Sequence, residues 1–367
     1  MIYRSVLRPI LFRLPPETVH ELALHSLTVV LGSRTARKFV AGRTTLSPFG
    51  KLERFGLTFT NPVGLAAGFD KNGTAAQALA ALGFGFVEVG SVTSEPQPGN
   101  PKPRLFRLPR DRALINRAGF NNCGAEQLAN NIKRRRPDCV LGVNIGKSRR
   151  IAIDDAIPDY LETFAAVYDV ADYVAVNISS PNTPNLRELQ RPEMLRNLLE
   201  SLQERNAELA RQYALAKPQP LLLKIAPDLT EPEIESIVEV AMGIGVAGII
   251  ATNTTVRRDD LLTSNAQVTA CGEGGLSGAP LQPRSNQVVA LIYRLTRGAL
   301  PIIGVGGVFT AKDAWEKICA GASLIQLYTG FIYEGPNVAR RINEGLLEIL
   351  NREGFHSLDD AVGCNVK

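Results

Sequence analysis

Amide, hydroxyl and lysine side chains follow the apolar runs of this sequence at positions that could bring them into one polar site. The set consists of Lys71, Asn144, Asn177, Ser179, Ser180, Lys224, Thr252, Asn253 and Thr254, with Asn116, Asn121 and Asn182 in adjoining segments. Few carboxylates and no histidine accompany them. A hydrolase with paired acids or with a histidine-activated serine is therefore poorly supported.

The same side chains suit a planar cyclic amide. Each asparagine offers one hydrogen-bond acceptor and two donors, so several together match the alternating N–H and C=O groups of a pyrimidine ring. Lys71 and Lys224 add positive charge for a substrate carboxylate and for a cofactor that becomes anionic on reduction. One asparagine alone would be an ordinary turn residue as readily as a ligand contact, but several beside predicted strand ends favour a ligand site.

Eight short apolar runs are predicted to be the strands that position these residues. Each run is rich in valine and isoleucine and is followed by an amphipathic stretch, and the runs are 61–68, 86–92, 139–146, 173–180, 220–227, 248–255, 301–308 and 324–330. Nearly continuous apolar character is typical of parallel strands that are covered on both faces. Two intervening stretches, 230–244 and 310–320, have the threonine start and glycine end of helices.

Eight strands alternating with helices predict an α/β fold of the (β/α)8 TIM-barrel class, with an open doubly wound sheet as the alternative. In such a barrel the active site lies at the carboxyl ends of the strands, where the polar set falls. The glycines of GVGG at 304–307 and YTG at 328–330 then follow strands seven and eight, where these barrels bind phosphate. FMN is the cofactor expected at that position.

Two connections are long for a compact barrel. They cover residues 95–122, with the proline-rich run PQPGNPKPRLFRLP, and residues 256–283, with CGEGGLSGAP. Loops of this length are usually functional or disordered. A solvated proline-rich loop is the alternative for the first of them.

The N-terminal segment, residues 1–43, differs from the predicted barrel domain, residues 44–367. Its seven basic and two acidic residues give a net charge of +5, which equals the net charge of the whole chain. Two short amphipathic helices are predicted, with a break at Pro15-Pro16 and an end at Gly32. Two interpretations are equally supported: a hairpin that lies in a membrane interface, or a pair of helices packed across the bottom of the barrel.

Composition and spacing argue against several other classes. The five cysteines are scattered, which fits neither a disulfide framework nor a zinc site. His20 and His25 are five residues apart, one more than the zinc-protease spacing. Outside the N-terminal segment the charges balance, unlike a nucleic-acid-binding surface. No apolar run approaches the roughly 20 residues of a spanning helix.

Several longer motifs resemble dihydroorotate dehydrogenases. They are AAGFDKNG at 66–73, FGFVEVGSVT at 84–93, PRLFRL at 103–108, INRAGFNN at 115–122, VNISSPNTPNLRELQ at 176–190, GGLSGAPL at 274–281, IGVGGV at 303–308 and QLYTGFIYEGP at 326–336. The resemblance covers essentially the whole chain, including the N-terminal extension of the quinone-dependent, membrane-associated class. NISSPNTP is its most specific motif.

The resemblance implies oxidation of (S)-dihydroorotate to orotate in pyrimidine biosynthesis, with hydride transfer to FMN and reoxidation by a membrane quinone. Ser180 would be the catalytic base, and because the cytosolic class has cysteine at this position, the serine indicates the quinone class. Thr183 and Phe120 would help define a water path for the proton. The implied substrate contacts are Lys71, Asn116, Arg117, Ala118, Gly119, Phe120, Asn177, Asn182, Asn253 and Thr254.

The resemblance also implies a cofactor site and a quinone tunnel. The FMN contacts would be Ala67, Gly68, Phe69, Asp70, Lys71, Ser91, Asn144, Asn177, Lys224, Thr252, Gly278, Gly307, Tyr328 and Thr329. His20, Arg107 and Tyr328 would line the quinone tunnel. The expected location is peripheral, on the cytoplasmic side of a bacterial inner membrane, and the expected oligomeric state is a monomer.

The chain departs from the family pattern at two places. Asn185 stands where the family has glycine, and asparagine is the residue after glycine that best tolerates a left-handed backbone. The open question there is the mobility of the loop over the substrate. Ser94 and Glu95 stand where the family has a proline and a basic residue, and we expect them to affect only the surface.

Two other functions are compatible with the residues alone. A phosphate-binding barrel lyase or aldolase would use Lys224 or Lys71 as a Schiff-base lysine. A peripheral membrane module would use the barrel only as a scaffold, although a scaffold has no need of polar residues at the strand ends. Bound flavin would favour the dehydrogenase, whereas borohydride trapping of a substrate would favour the lyase.

Overall fold

The eight predicted runs form the eight strands of a closed barrel. The computed structural model describes residues 2–44, 49–50 and 52–366. The barrel strands are β1 (Val63–Leu65), β2 (Phe86–Val92), β3 (Val140–Ile145), β4 (Tyr173–Asn177), β5 (Leu221–Ile225), β6 (Gly248–Ala251), β7 (Ile302–Val305) and β8 (Leu324–Leu327).

Each strand pairs in parallel with its neighbours in sequence, and β8 pairs with β1 to close the ring. Nearly all residues of these strands are buried, because side chains fill the barrel on the inside and helices cover it on the outside. The TIM-barrel prediction is confirmed, and the open doubly wound sheet is excluded by the closing pair of strands.

The described α-helices precede, connect and follow the barrel strands. They are α1 (Arg8–Leu11), α2 (Pro16–Val30), α3 (Arg34–Thr44), α4 (Ala76–Ala80), α5 (Ala125–Arg134), α6 (Ala156–Val167), α7 (Pro192–Gln212), α8 (Glu231–Ile244), α9 (Asn265–Ala270), α10 (Gln282–Thr296), α11 (Ala311–Cys319), α12 (Thr329–Glu334), α13 (Val338–Glu353) and α14 (Leu358–Ala361). The predicted helix starts are confirmed, since Thr230 and Thr310 form capping boxes at α8 and α11.

A short antiparallel hairpin, Leu52–Arg54 with Leu57–Phe59, closes the amino-terminal end of the barrel. Its Phe59 ring packs edge-on against Phe86, the first residue of β2, with ring centroids 5.4 Å apart. Its Phe55 ring lies 6.5 Å from Tyr173 at the start of β4. The bottom of the barrel is therefore occupied by this hairpin.

The two long connections fold together over the opposite end. Strands Leu105–Leu108 and Ala113–Asn116 form a hairpin, and Gly275–Gly278 of the second connection pairs with the strand Ala113–Asn116. Asp111 accepts hydrogen bonds from the backbone and hydroxyl of Thr263, which joins the two connections. The alternative of a solvated proline-rich loop was wrong for residues 105–116, which form two strands of this sheet. None of residues 96–103, which hold most of the prolines, is buried.

The N-terminal segment packs beside the carboxyl end of the barrel. A π-helical turn (Tyr3–Leu7) continues into α1, and the Tyr3 hydroxyl donates to the Ile332 carbonyl at 2.6 Å. Glu17 of α2 pairs with Arg104 at 2.9 Å. The interpretation as helices across the barrel bottom is therefore wrong, since their partners lie at the other end.

The prediction of two N-terminal helices was incomplete. A third helix, α3, follows Gly32, and the Ser33 hydroxyl accepts from the amide of Ala36 at its start. The side chain of Arg43, which contributes to the predicted charge of this segment, lies outside the described residues. Within the residues that the structure describes, no helix combines the length and apolar character needed to cross a membrane.

Candidate active site

A cavity of about 320 Å³ opens at the carboxyl ends of the barrel strands. Its lining contains Ser180 and nine of the ten residues predicted to contact substrate, namely Lys71, Asn116, Ala118, Gly119, Phe120, Asn177, Asn182, Asn253 and Thr254. It also contains most of the predicted cofactor contacts, namely Ala67, Gly68, Phe69, Asp70, Lys71, Ser91, Asn177, Lys224, Thr252, Gly278, Gly307, Tyr328 and Thr329. One cavity therefore brings the two predicted sets together.

Three predicted residues lie outside the lining of this cavity. Arg117 donates two hydrogen bonds to the Pro103 carbonyl, at 3.1 and 2.9 Å, within the loop before the hairpin. Arg107 donates to the carbonyls of Leu11 and Leu14 and so holds the N-terminal segment to the hairpin. Asn144 is fully buried one layer beneath the cavity.

Ser180 follows β4 and is 5% exposed. Its hydroxyl oxygen accepts a hydrogen bond from the Asn182 amide at 3.2 Å. The side-chain amide of Asn182 in turn donates to Asn116 at 3.1 Å, which links the segment after β4 to the hairpin above it. The buried Thr183 hydroxyl has no partner among the described residues. The hydroxyl group of Ser180 thus faces the cavity without a histidine or carboxylate bonded to it in the described chain.

Lys71 lies in the loop after β1 and donates to the Asn121 side chain. Burial, together with the positive charge of Arg104, lowers the pKa of Lys71 to about 8. The neighbouring Asp70 carboxylate accepts from the amides of Thr74 and Ala75 at 3.0 and 2.7 Å. Asp70 borders the cavity, but its carboxylate is bonded to these backbone amides. It therefore stabilises the loop that carries Lys71.

The amides at the strand ends hold one another in place. Asn177 donates to the Ser91 hydroxyl at 2.9 Å and to the Asn144 side chain at 3.1 Å. The Asn253 side-chain amide donates to the side-chain oxygen of Asn177 at 3.2 Å and to the Ser179 hydroxyl at 3.0 Å. These hydrogen bonds fix the orientation of each side-chain amide and therefore the positions of its donor and acceptor groups.

Sequence reasoning missed the residues beneath the cavity floor. Glu88 is fully buried on β2, and it pairs with Lys224 at 3.6 Å. Gln326 donates to the same carboxylate at 2.7 Å, and Tyr173 donates to it at 3.0 Å. The available signal was a single acidic residue inside the apolar run 86–92. An ionised side chain at such a position needs a buried partner.

The glycine-rich ends of β7 and β8 have the properties of a phosphate site. Gly306 and Gly307 have positive φ values of 123° and 72°. In the described part of the chain the backbone amides of Gly306, Gly307 and Gly330 donate no hydrogen bond. Thr329 shares a hydrogen bond of 2.8 Å with the Ser277 hydroxyl at the same edge. Unpaired amide donors beside two hydroxyls fit the phosphate of a flavin nucleotide.

The cavity extends from this region to helix α2. Glu17, His20, Glu21 and Leu24 of α2 form part of its lining. The His20 ring packs edge-on against Phe69 at 4.9 Å, and Phe69 lies 5.9 Å from Tyr328. Burial and the charge of Lys71 lower the pKa of His20 to about 4, so its imidazole is neutral at pH 7. The aromatic rings of His20, Phe69 and Tyr328 thus connect α2 to the centre of the site.

The structure gives different outcomes for the predictions made at the two departures from the family pattern. Asn185 has φ 57°, the left-handed conformation that the sequence predicted. Ser94 was wrongly assigned to the surface alone: its hydroxyl donates to Asp159 at 2.6 Å, and Asp159 also accepts from the Ser148 amide at 2.6 Å. Ser94 therefore joins the segments that follow β2 and β3, whereas Glu95 is exposed and pairs with Arg150.

Comparison with known proteins agrees with this geometry. The family model described as dihydroorotate dehydrogenase matches residues 51–350. A Roseiflexus protein named dihydroorotate dehydrogenase (quinone) is 50% identical over 367 residues, covering 99% of this chain and 98% of its own length. A Halobacterium salinarum protein of the same name is 49% identical and covers 99% of both chains.

Solved structures give the same result. The crystal structure of DHODH from Eimeria tenella in complex with ferulenol superposes with a TM-score of 0.84 at 39% identity and covers 95% of each chain. The ligand-free enzyme from the same organism gives a TM-score of 0.81 at 41% identity, covering 91% of this chain and 99% of that one. With a family model matched over residues 51–350 and full-length relatives of about 50% identity, this chain belongs to the dihydroorotate dehydrogenase family.

Proposed function

We propose that this protein oxidises dihydroorotate to orotate, with FMN as the hydride acceptor and a membrane quinone as the oxidant of the reduced flavin. The observation that carries the proposal is a single cavity in which the Ser180 and asparagine cluster meets the glycine-rich phosphate site and the aromatic path from α2. The relatives described above are named dihydroorotate dehydrogenase (quinone), which agrees with this chemistry.

The substrate is held by its carboxylate and by the amide edges of its ring. Lys71 supplies the positive charge for the carboxylate, and Asn116 and Asn182, which already bond to each other, lie on the hairpin side of the cavity. Asn177 and Asn253 face the ring from the strand ends. Gly119 and Phe120, in the loop that follows the hairpin, cover the ring from above.

The reaction removes one proton and one hydride from adjacent ring carbons and leaves a carbon–carbon double bond. FMN, when bound, supplies the acceptor for the hydride. Ser180 takes the proton at its hydroxyl oxygen, which is buried and within the cavity. Because serine is a weak base, its own proton must leave. Thr183, whose buried hydroxyl has no hydrogen-bond partner in the described chain, would pass that proton to water.

The cofactor would be held by groups from both sides of the barrel. Gly278, Gly306, Gly307 and the start of α12 supply amides for the phosphate. Lys224 and Ser91 lie at the other side of the cavity, where a flavin ring would meet the substrate. The side-chain oxygen of Gln326 is buried and has no hydrogen-bond partner in the described chain. It would accept a hydrogen bond from an N–H of the flavin ring.

The quinone would enter along the N-terminal helices from a membrane surface. Large apolar side chains are exposed on residues 2–39, namely Ile2, Val6, Leu7, Ile10, Leu14, Leu22, Val29, Val30 and Phe39. Such a concentration of exposed apolar side chains is typical of an interaction surface, and the basic residues beside them favour anionic lipid. We infer peripheral attachment to the cytoplasmic side of a bacterial inner membrane, by a monomer. Arg107 would act by holding α1 at the entrance.

The decisive test is the absorption spectrum of the purified protein. We expect flavin absorbance with one FMN per chain, which dihydroorotate bleaches without oxygen and a long-chain quinone restores. A colourless protein that borohydride traps with a substrate on Lys224 or Lys71 would instead support the lyase. Absence of both flavin and turnover would leave the barrel as a membrane-bound scaffold.

A further inference from the structure

We propose that Glu88 is a positioning residue that lowers the reduction potential of the bound flavin through Lys224. This inference rests on the FMN-dependent function above. Glu88 is fully buried on β2 and does not line the cavity, so it contacts neither ligand directly. Lys224 does line the cavity and is the cation that pairs with it, at 3.6 Å. The substrate-binding and proton-transfer steps above leave this carboxylate without a role.

The contacts of Glu88 come from four other strands of the barrel. Asn144 of β3 donates to it at 2.9 Å, Tyr173 of β4 at 3.0 Å and Gln326 of β8 at 2.7 Å, while Lys224 belongs to β5. All of these neighbours present donors to the carboxylate. An ionised carboxylate only accepts hydrogen bonds, so the arrangement is the one that a negatively charged Glu88 requires.

Burial makes the pair with Lys224 obligatory. An ionised carboxylate inside a protein is strongly destabilising unless an opposite charge and hydrogen bonds compensate it. The Lys224 ammonium pairs with Glu88 on one side and faces the cavity on the other, and its side chain is 7% exposed. The site thus contains a charge pair whose positive end is directed at the ligand and whose negative end lies behind it.

The orientation of this pair determines how the site responds to reduction. Two-electron reduction adds negative charge to the flavin, and the Lys224 ammonium stabilises that charge. The carboxylate behind Lys224 opposes it, and the opposition is strong because the floor is buried and poorly screened. Glu88 therefore lowers the potential of the flavin, which favours passage of the electrons to the quinone.

Replacement of the charge without change of shape tests this role. In the FMN-loaded Glu88→Gln variant we expect the ratio of reduced to oxidised flavin at a given potential to rise about tenfold, an increase of ~30 mV for a two-electron couple. The measurement is an anaerobic titration against a reference dye. The dissociation constants of FMN in its two redox states give an independent readout, since their ratio must change by the same factor.

A matched control separates charge from packing. Tyr173→Phe removes one hydrogen bond to Glu88 and keeps the carboxylate, so we expect its potential to stay close to that of the original protein. Equal shifts in Tyr173→Phe and Glu88→Gln would mean that the network acts only as a support, and would overturn the proposal. If Glu88→Gln does not fold, Glu88→Asp keeps the charge but withdraws it from Lys224 by one methylene, and it must raise the potential by a smaller amount. An unchanged or lower potential in Glu88→Asp would overturn the proposal.

The outcomes also separate this inference from the proposed function. A colourless unmodified protein would contradict the function itself, independently of Glu88. A yellow protein that dihydroorotate bleaches, combined with an unchanged or lower potential in Glu88→Gln, would overturn only the role of Glu88.

Discussion

Ser180 is the residue at which the proposed reaction can be tested most directly. Its hydroxyl lies in the cavity and accepts a hydrogen bond from the Asn182 amide. Ser180→Ala removes the proton acceptor and leaves the cofactor contacts intact. We expect the variant to retain FMN and to lose roughly 10²–10⁴-fold in the rate of flavin reduction by dihydroorotate, the usual contribution of a general base. Anaerobic stopped-flow absorbance measures this rate.

The conservative replacement at the same position supplies the control. Ser180→Cys should retain more activity than Ser180→Ala, because a thiolate can accept the proton, and its rate should rise with pH as the thiol ionises. Near-normal flavin reduction in Ser180→Ala would exclude Ser180 as the base.

The charge of Lys71 predicts how substrate affinity depends on pH. Because its pKa is lowered to about 8 in the free site, the ammonium is present below pH 8 and is lost above it. The affinity for orotate should therefore be constant at lower pH and fall as the pH rises through 8, by about tenfold per unit while the free site loses its proton. Binding can be followed by the change in the flavin spectrum between pH 6 and 10.

Lys71→Arg provides the comparison for this pH dependence. A guanidinium stays charged throughout the range, so the variant should bind orotate with a flatter profile, whatever its absolute affinity. If both proteins lose affinity in parallel, the titration belongs to another group, such as the ligand itself.

The N-terminal helices are the element that should separate the two half-reactions. Helix α2 forms one wall of the cavity through His20 and Leu24, whereas Ser180 and the strand-end amides belong to the barrel. After deletion of residues 1–43 we expect dihydroorotate still to reduce FMN. Reoxidation by a long-chain quinone in vesicles should collapse, because the path from α2 is gone. Stopped-flow reduction and a vesicle assay on one sample test both parts.

A water-soluble electron acceptor controls this truncation. It should reoxidise the truncated protein readily, since it reaches the flavin without the helices. Unfolding of the barrel on truncation, or unchanged turnover with long-chain quinone in vesicles, would show that the segment is a structural cover.

The N-terminal segment combines exposed apolar side chains with the net positive charge of the molecule, and this segment should control vesicle binding. High salt should release the protein from anionic vesicles in part, and detergent should release it more fully, because charge and apolar burial both contribute. Ile10→Asp, on the 56% exposed Ile10, should weaken binding in a sedimentation assay. Val256→Asp is the matched control, since Val256 is 48% exposed on a barrel connection. Equal binding by Ile10→Asp and Val256→Asp would show that the N-terminal segment does not control vesicle binding.

Local patterns were sufficient for the barrel and for grouping the polar residues at its strand ends. A strand buried on both faces must be apolar along its length, so each of the eight strands was visible as a run before any contact was known. The helix starts at Thr230 and Thr310 were equally local, because a capping box is formed within four residues. A closed parallel barrel places all carboxyl strand ends on one face, which is why Ser180 and the asparagines could be grouped in advance.

Tertiary contacts decided what these patterns leave undefined. Amphipathicity shows that one face of α2 is covered but not by what, and only packing placed it against Phe69 at the top of the barrel. Asn144 and Asn177 look alike in sequence, yet only Asn177 reaches the cavity. Glu88 depends most on the fold: its partner Gln326 is 238 residues away, and only closure of the barrel brings the two together.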